Sequence, residues 1–347
     1  MMNSIIKIDT DQVKIGVVGG GSWGTALANL LADKGFLIDF WVYEKEVMEQ
    51  IETGRENKIF LPGVHLSSNI IPSNDISRVI SGKDVVVIVV PSHVFRETVQ
   101  RIDSSISPDT IVVTASKGIE NTTHLTMSGV LRNVLPRISE NQVAALSGPS
   151  FAREVAKKFP TVVTVASKDK QVAAFLQRVF ATDYFRVYSS DDVIGVELGG
   201  AVKNVIAIAA GIIDGMGMGL NTRAALITRG LTEIRRIGLK LGANPRTFMG
   251  LACAGDLILT CTGDLSRNHM VGKKIGEGRT LNDILSEMRM VAEGVKTAKS
   301  VYNLSRKLGV DMPICHEIYR ILYENVPPKE AVYRLMTRSL KQELDEQ

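Results

Sequence analysis

The sequence has little of what marks secreted or membrane-spanning proteins. Its 347 residues include three cysteines, Cys253, Cys261 and Cys315, and they form no C-x-x-C pair. An odd number without close pairing indicates reduced thiols in a cytoplasmic protein, and we interpret them as buried and inert. The longest apolar run, residues 205–213, falls far short of the roughly 20 residues that a membrane-spanning helix needs. We therefore predict no transmembrane segment.

Charge is nearly balanced, which excludes further classes of protein. Lysine and arginine number 41 and aspartate and glutamate 37, a net charge of +4. No basic block or aromatic-basic interleaving accompanies this excess, so we expect no nucleic-acid partner, whereas a mildly positive protein suits an anionic small substrate. The five histidines and three cysteines show no metal-ligand spacing. We therefore predict no metal site.

Two kinds of pattern divide the chain. From Lys14 to about Tyr188, short β-branched runs alternate with helical stretches, which is typical of a parallel sheet covered by helices. Beyond roughly Ser190 these runs stop, and apolar residues recur at helical spacing through to Leu340. The predicted strands are KIGVVG (14–19), FLIDFWV (36–42), DVVVIVV (84–90), TIVVTA (110–115), VAALSG (143–148) and TVVTVA (161–166).

A glycine-rich turn follows the first predicted strand. Residues 19–24, GGGSWG, fit the pattern G-x-G-x-x-G and precede the amphipathic segment TALANLLADKG. Gly19 permits the tight turn, Gly21 lets a pyrophosphate approach the backbone, and Gly24 lets helix and strand pack closely. Because strand, turn and helix agree, we predict a dinucleotide site with the phosphates at the helix N-terminus.

These patterns predict the fold class and the domains. We expect an α/β N-terminal Rossmann-like domain with a parallel-rich sheet, followed by an all-α C-terminal domain. The predicted boundaries are a disordered lead-in at 1–13, an NAD(P)-binding domain at 14–189, an all-helical substrate-binding domain at 190–340 and a polar tail at 341–347. In the helical part, candidate helix caps and helix starts or breaks are Asp191, Asp192, Pro245, Pro313, Pro327 and Pro328.

Glu44 is the candidate for recognition of the cofactor ribose. It lies 20 positions after Gly24, where an acidic residue bonds the ribose 2′-hydroxyl in such folds. A carboxylate there repels a 2′-phosphate and favours NAD over NADP, although adjacent Lys45 softens that discrimination. The alternative is that Glu44 simply starts the next helix. His93, in the loop after the strand at 84–90, is either an acid/base candidate or a capping or surface group.

Lys203 is the candidate proton donor. Reducing a ketone needs a hydride donor, a proton donor for the carbonyl oxygen, and cationic or amide groups for a substrate phosphate. Lys203 lies among small and aliphatic residues, GGAVKNVIA at 199–207, which would desolvate its ammonium and lower its pKa. The alternative is a lysine that reaches the surface. Asp256 needs a cation in its apolar context, and Lys203 is the partner we expect.

Lys117, Arg267 and Asn268 are candidate anion ligands. Lys117 follows a predicted strand at the carboxyl edge of the sheet, where ligands bind in this fold class. Arginine binds phosphate through two parallel hydrogen bonds, and Lys and Asn add charge and donors. Taken singly, each of the three is equally well explained as a solvated surface residue.

These segments together resemble the NAD(P)-dependent glycerol-3-phosphate dehydrogenases of the bacterial type, from Lys14 to about Arg338. The resemblance rests on GGGSWGTALA (19–28), SKG (116–118), SGPSFAREVA (147–156), GVELGGAVKNVIAIAAG (195–211), LITRGLTE (226–233), GDLILTCTGDLSRN (255–268) and VAEG (291–294). Departures are mild: GGG replaces the commoner GAG, and Cys253-Ala254 stands where Gly-Leu is usual. Tyr43-Glu44 differs from the His or Arg of many NADPH-using members, which tilts the expected preference towards NADH.

The resemblance implies a role for each matching residue. Lys203 becomes the general acid/base, with Asp256 and Thr260 in its polar network. The implied substrate contacts are Lys117, Gly148, Ser150, Lys203, Asn204, Asp256, Thr260, Ser266, Arg267 and Asn268. The implied cofactor contacts are Gly19, Gly21, Ser22, Trp23, Gly24, Tyr43, Glu44, Lys117, Ala152, Arg267, Val291 and Glu293.

The resemblance also implies a reaction. It is the interconversion of dihydroxyacetone phosphate and sn-glycerol 3-phosphate by hydride transfer with NAD(P)H, in the cleft between the two domains. Members supply the glycerol phosphate backbone of phospholipids, and many are homodimers, so we expect a cytoplasmic homodimer. Two alternatives stay open: a β-hydroxyacid dehydrogenase-like enzyme, and a sensor that binds NADH without turnover.

Overall fold

The computed structural model describes residues 12–288 and 290–343. Within them the chain forms two compact units. The first comprises the described residues up to Lys117 together with Leu125–Glu197, and the second comprises Gly118–His124 and the described residues from Leu198 onward. The domain boundaries given above stay predictions. Residues 1–11 of the predicted lead-in and residues 344–347 of the predicted tail lie outside the described residues.

The first unit is built on one mixed sheet. In the described part of the chain it has eight strands in the order β3-β2-β1-β4-β5-β6-β7-β8. All neighbouring pairs are parallel except β6 and β7, which are antiparallel. The strands are β1 (Ile15–Val18), β2 (Ile38–Trp41), β3 (Ile70–Ser73), β4 (Val85–Ile88), β5 (Ile111–Thr114), β6 (Val143–Ser147), β7 (Thr161–Ser167) and β8 (Phe185–Ser190).

The sheet confirms the six predicted strands and adds two more. The apolar strands β1, β4 and β5 are buried throughout and lie inside the sheet, because a strand covered on both faces must be apolar on both. Strand β3 contains Pro72 and β8 alternates buried Phe185 and Val187 with exposed Arg186 and Tyr188. Both are edge strands, which tolerate proline and charge. The predicted parallel-rich α/β architecture is confirmed.

Helices cover both faces of this sheet. On one face an apolar cluster joins α1 and α7 to the strands, and on the other a second cluster joins α3, α4 and α5 to them. The helices are α1 (Ser22–Asp33), α2 (Lys45–Gly54), α3 (Ile76–Ile80), α4 (Phe95–Ile102), α5 (Met127–Val134), α6 (Ala152–Ala156) and α7 (Lys170–Phe180).

The rest of the described chain is helical, as predicted. Helix α8 begins at Val193, and Oδ1 of Asp192 accepts the N–H of Gly195 at 2.9 Å, which confirms the predicted cap. Pro313 and Pro328 begin helices, and Pro245 begins a short 3₁₀ turn. The helices are α8 (Val193–Gly215), α9 (Gly219–Lys240), α10 (Asp256–Thr262), α11 (Arg267–Gly276), α12 (Leu281–Ser286), α13 (Glu293–Leu308), α14 (Pro313–Glu324) and α15 (Pro328–Met336).

Helix α8 is the most apolar helix of the described residues. By length and composition alone it is long and apolar enough to cross a membrane. Its most apolar window is 100% buried inside the protein, and core helices meet the same criteria. Burial on all sides explains why its sequence shows no polar face.

Candidate active site

The glycine turn between β1 and α1 depends on its missing side chains. Gly19 has φ +124°, and a Cβ on it would lie 2.5 Å from the carbonyl oxygen of Val89. A Cβ on Gly24 would lie 1.9 Å from the carbonyl oxygen of Gly19. Both distances are too short for any real Cβ, so the turn and the first helical turn require glycine at these two positions.

The N-terminus of α1 is open to an anion. Gly21 occupies the cap position, where it provides no capping side chain, and the first turn carries no acidic residue. Among the described residues, no atom lies within 4 Å of the place where a Cβ on Gly21 would be. The free N–H groups and positive dipole of a helix start bind phosphate. The residues present therefore fit the pyrophosphate of a dinucleotide.

Asn57 supports this turn, and sequence reasoning missed it. The side chain is fully buried, and Nδ2 donates to the carbonyl oxygen of Gly20 and to Oγ1 of Thr25, each at 2.8 Å. Its Oδ1 accepts the N–H of Phe60 at 2.9 Å, and Oγ of Ser22 donates to the Phe60 carbonyl at 2.6 Å. Gly20 and Thr25 lie 37 and 32 positions before Asn57, so no local pattern signals these two bonds.

Three predicted cofactor contacts lie near this end of the first unit. The indole N–H of Trp23 is buried and has no hydrogen-bond partner among the described residues. Tyr43 is 71% exposed, and its ring packs edge-on against Trp41 with centroids 6.0 Å apart. Glu44 is exposed and directly precedes α2 without making a side-chain cap bond. Glu44 thus occupies the position before the helix, but its carboxylate does not cap the helix.

Lys117, Gly148 and Ser150 come together at the ends of β5 and β6. The ammonium of Lys117 and the hydroxyl of Ser150 both donate to the carbonyl oxygen of Gly148, at 3.2 and 3.0 Å. Gly148 has φ +149°, and a Cβ there would lie 2.9 Å from Cα of Val163. The cluster therefore also needs a glycine. Ala152, another predicted cofactor contact, begins α6 two residues beyond Ser150.

Lys203, Asp256 and Thr260 form a buried polar network in the second unit. Their exposed fractions are 5%, 1% and 4%. The Lys203 ammonium donates to Oδ1 of Asp256 and, at 2.6 Å, to Oγ1 of Thr260, whose hydroxyl donates to the Asp256 carbonyl at 2.6 Å. A buried charge needs such a partner, because an unpaired one is costly. Lys203 is therefore not a surface lysine, and Asp256 is its partner as expected.

Asn204 and Asn268 are joined directly. Nδ2 of Asn268 donates to Oδ1 of Asn204 at 2.9 Å, and Oδ1 of Asn268 accepts the N–H of Gly294 at 2.9 Å. A Cβ on Gly294 would lie 2.5 Å from the Asn204 carbonyl oxygen. This glycine thus lets α13 begin against the backbone of α8, beside the two amides.

The first turn of α11 carries the remaining candidates of the second unit. Oγ of Ser266 caps the helix and accepts the N–H of His269 at 3.2 Å. Burial lowers the pKa of the Arg267 guanidinium, and the charge of Glu293 partly offsets this. Glu293 begins α13, and Val291, two residues earlier, is exposed. A half-buried arginine with one carboxylate nearby keeps donors for an anionic ligand.

Comparison with protein families distinguishes between the functions that the sequence left open for this site. A model of the NAD-dependent glycerol-3-phosphate dehydrogenase N-terminus matches residues 14–173, and a model of the C-terminus of the same enzymes matches residues 192–333. The chain belongs to this glycerol-3-phosphate dehydrogenase family. The resemblance predicted from the motifs is confirmed, and with it the nicotinamide cofactor.

Relatives of the glycerol-3-phosphate dehydrogenase family cover nearly the whole chain. A glycerol-3-phosphate dehydrogenase [NAD(P)+] of Syntrophobacter fumaroxidans is 57% identical over 331 residues, 95% of this chain and 97% of its own. One from Citrifermentans bemidjiense is 56% identical over 330 residues, 95% and 98% of the two chains. The crystal structure of the Coxiella burnetii enzyme superposes with a TM-score of 0.90 at 38% identity, covering 94% of this chain and 99% of that one.

Two further groups were singled out in the sequence, His93 and the three cysteines. His93 is exposed in a short 3₁₀ turn, Ser92–Val94. The cysteines are all buried, as predicted, and burial raises the pKa of the Cys253 and Cys261 thiols to about 12. Thiols at neutral pH are then protonated and poorly reactive. In the described ranges, no group of three His, Cys, Asp or Glu side chains is arranged to hold a metal ion.

Proposed function

We propose that this protein interconverts dihydroxyacetone phosphate and sn-glycerol 3-phosphate by hydride transfer with NAD(P)H, with Lys203 as general acid/base. The observation that carries the proposal is the buried Lys203–Asp256–Thr260 network in a chain of the glycerol-3-phosphate dehydrogenase family. The names of its relatives give the same activity. A buried, hydrogen-bonded ammonium is the group such a reaction needs beside its hydride donor.

The first unit supplies the cofactor site in this proposal. Gly19, Gly21 and Gly24 hold the turn so that the N–H groups of α1 bind the pyrophosphate, and Trp23 offers its free indole N–H. When bound, the reduced nicotinamide supplies the hydride. The further cofactor contacts we propose are Ser22, Tyr43, Glu44, Lys117, Ala152, Arg267, Val291 and Glu293.

The anionic substrate is bound by cations and amide or hydroxyl donors. We assign Arg267, with Ser266 and Asn268, to the phosphate, because a guanidinium at a helix start combines charge with directed N–H groups. Lys117, Gly148 and Ser150 form the second group of substrate contacts. Asn204, held by Asn268, completes the set.

Lys203 moves the proton. In the reducing direction its Nζ gives a proton to the ketone oxygen as a hydride reaches the carbon, so that one C–H and one O–H bond form. In the oxidising direction the neutral amine accepts the hydroxyl proton. Asp256 and Thr260 hold Nζ in place throughout, and the Asp256 carboxylate stabilises the ammonium whenever Lys203 is charged.

Three finer statements belong to the same proposal. Glu44 tilts the preference towards NADH, because a carboxylate repels a 2′-phosphate. The protein acts as a homodimer, which sedimentation analysis would test against a monomer. It works in the cytoplasm, where it supplies the glycerol phosphate of phospholipids, which fractionation of cells would test. Family resemblance supports the last two.

Neither alternative is favoured. A β-hydroxyacid dehydrogenase acts on carboxylates, and relatives more than 50% identical are named for glycerol 3-phosphate. A sensor that binds NADH without turnover has no use for a buried lysine bonded to a carboxylate and a hydroxyl. The substrate panel described next separates both from the proposal.

The test is NADH and NADPH oxidation by the purified protein with dihydroxyacetone phosphate, beside Lys203→Ala and a matched control, Lys240→Ala. Lys240 is an exposed lysine at the end of α9 in the same unit. Loss of general acid catalysis should lower turnover by about 10²–10⁴-fold in Lys203→Ala alone. Near-normal turnover in that variant would refute the role of Lys203. Oxidation by β-keto acids instead of dihydroxyacetone phosphate would refute the substrate.

A further inference from the structure

Helices α8 and α11 pack with their backbones in direct contact. A Cβ on Gly211 would lie 2.0 Å from the His269 carbonyl oxygen, and one on Gly272 would lie 2.0 Å from the Ile208 carbonyl oxygen. The same holds one turn further along. A Cβ on Gly215 would lie 2.2 Å from the Lys273 carbonyl oxygen, and one on Gly276 would lie 2.3 Å from the Ile212 carbonyl oxygen. Each helix therefore carries a G-x-x-x-G pair that fits against the backbone of the other.

The contacts fix one register between the two helices. The pairs Asn204–Asn268, Ile208–Gly272 and Ile212–Gly276 are each separated by 64 positions, and the pairs Gly211–His269 and Gly215–Lys273 each by 58. Because each offset repeats one turn further along, the helices run in the same direction. A slip by one residue would move α11 by about 1.5 Å along its axis. The slip would also drive backbone oxygens of one helix against side chains of the other, so the glycines define the register. The first turn of α11 is held by other bonds.

Those bonds converge on Asp214. Nε2 of His269 lies 2.8 Å from Oδ2 of Asp214, and Nη1 of Arg223 donates to the same oxygen at 2.9 Å. A carboxylate is an acceptor only, so the imidazole provides the N–H. Asp214 is the penultimate residue of α8, where the helix dipole disfavours an anion. It needs the two donors, and His269 is the one that lies in the first turn of α11.

His269 is therefore tied on both sides. Its backbone N–H is bound by Ser266 and its ring by Asp214, while Asn268 beside it bonds Asn204. The residues held in this way are Ser266, Arg267 and Asn268, which we assigned to substrate phosphate. Lys203 and Asn204 lie on α8 itself. The distance between the phosphate ligands and the proton donor thus depends on the α8–α11 contact.

We propose that His269 is a positioning residue of the substrate site. Through Asp214 it holds the first turn of α11, and so Arg267 and Asn268, at a fixed place relative to Lys203. The inference rests on the proposed function, because it assigns His269 to the phosphate end of that substrate. It is separate from catalysis, since His269 is not required to touch substrate or cofactor.

The experiment compares three variants of the full-length protein. His269→Leu removes the bond to Asp214 at similar volume, and His269→Gln keeps an N–H donor near the position of Nε2. The matched control is His316→Leu: Nε2 of His316 also lies 2.8 Å from its partner, Oγ of Ser305, and joins α13 to α14. The readouts are kcat and KM with NADH, and amide hydrogen exchange of the peptide spanning residues 263–276.

His269→Leu should raise the KM for dihydroxyacetone phosphate about tenfold with a smaller change in kcat, the loss expected for one hydrogen bond to a charged group. Exchange in residues 263–276 should speed up, and the KM for NADH should not change. His269→Gln should restore most of the affinity. His316→Leu should leave both KM values and that peptide unchanged.

Other results would overturn the inference. Equal increases of KM in His269→Leu and His316→Leu would mean a general loosening of the helical unit. No rescue by His269→Gln would mean that the N–H donor is irrelevant. If the wild-type protein does not turn over dihydroxyacetone phosphate, the proposed function fails. Hydrogen exchange then still decides whether His269 holds the first turn of α11, since unchanged protection in His269→Leu would contradict this, and faster exchange restored by His269→Gln would support it.

Discussion

At the sites we propose for the ligands, the first unit presents turns that require glycine, whereas the second presents buried side chains that bond one another. The turn at Gly19–Gly24 and the cluster at Gly148 depend on glycines, because a Cβ on Gly19, Gly24 or Gly148 would lie less than 3.0 Å from a backbone atom of another residue. Lys203, Asp256 and Asn268 are instead buried polar groups that bond one another. Turns can change their exposed side chains at little cost, but a buried network must be satisfied completely or it destabilises the fold.

The comparison predicts two kinds of mutational effect. Changing an exposed side chain in the first unit should alter which ligand binds and leave stability as it was. Changing a buried side chain in the second should alter stability together with, or instead of, chemistry. Three substitutions of carboxylates test this contrast, taken in order of their expected effect on turnover.

Of the three substitutions, Asp256→Asn should have the largest effect on turnover. It leaves the Lys203 ammonium buried without its anion, and breaking a buried pair in this way costs about 3–5 kcal/mol of folding free energy. Nζ also loses the partner that orients it, so kcat should fall by about 10²-fold or more. The measurements are steady-state kinetics and thermal melting of the same preparation.

A matched pair in the first unit provides the control. Nζ of Lys83 lies 2.7 Å from Oδ2 of Asp39, largely buried and away from the proposed site. Asp39→Asn should lower the melting temperature without changing kcat. If both variants lose turnover in proportion to stability, Asp256 acts only on folding and the contrast between the units is broken.

Glu44 should show the opposite behaviour. Its carboxylate is exposed and caps nothing, so Glu44→Gln should leave the melting temperature unchanged. Removing the charge should raise the ratio of NADPH to NADH activity about tenfold, because about 1.4 kcal/mol of repulsion with the 2′-phosphate is lost. The control is Glu46→Gln, an exposed glutamate in the first turn of α2. An unchanged ratio in Glu44→Gln would remove this residue from cofactor recognition.

The same contrast separates what could be predicted from the sequence. In the first unit, apolar runs bounded by turns predict six strands, and the glycine spacing predicts the turn. Edge strand β3 was missed because Pro72 interrupts its pattern, and the antiparallel direction of β7 depends on the path of the chain, which no local pattern records.

In the second unit, the residues alone predict less of the candidate site. An apolar context identifies Lys203 and Asp256, but Asn204 was a candidate only through the resemblance to a family, and its bond to Asn268 was not predicted. Asn57 in the first unit and His269 in the second were both missed. Their partners are 32 and 55 positions away, and hydrogen bonds at such separations exist only after the elements have packed.

Glu233 provides the prediction with the smallest effect on turnover. It is buried on α9, where its carboxylate accepts the N–H groups of Ile314 and Cys315 at 2.7 and 3.0 Å, at the start of α14. Burial raises the pKa of its carboxyl from 4.5 to about 7, although these two bonds oppose the shift. Between these two pH values the folded protein binds more protons at this residue than the unfolded chain does.

The sign of the pH dependence follows from that difference. The contribution of Glu233 to stability is fully present below about pH 4.5 and is lost as pH rises through about 7, by on the order of 3 kcal/mol. Glu233→Gln removes the titration, so the melting temperature of the variant relative to wild type should rise from pH 5 to pH 8, with kcat unchanged. A difference that stays constant over this range would mean that Glu233 does not titrate there. A parallel loss of kcat would mean that the Glu233 carboxylate also contributes to catalysis. The buried side chains of the second unit would then form one functional network rather than a catalytic group and a separate structural one.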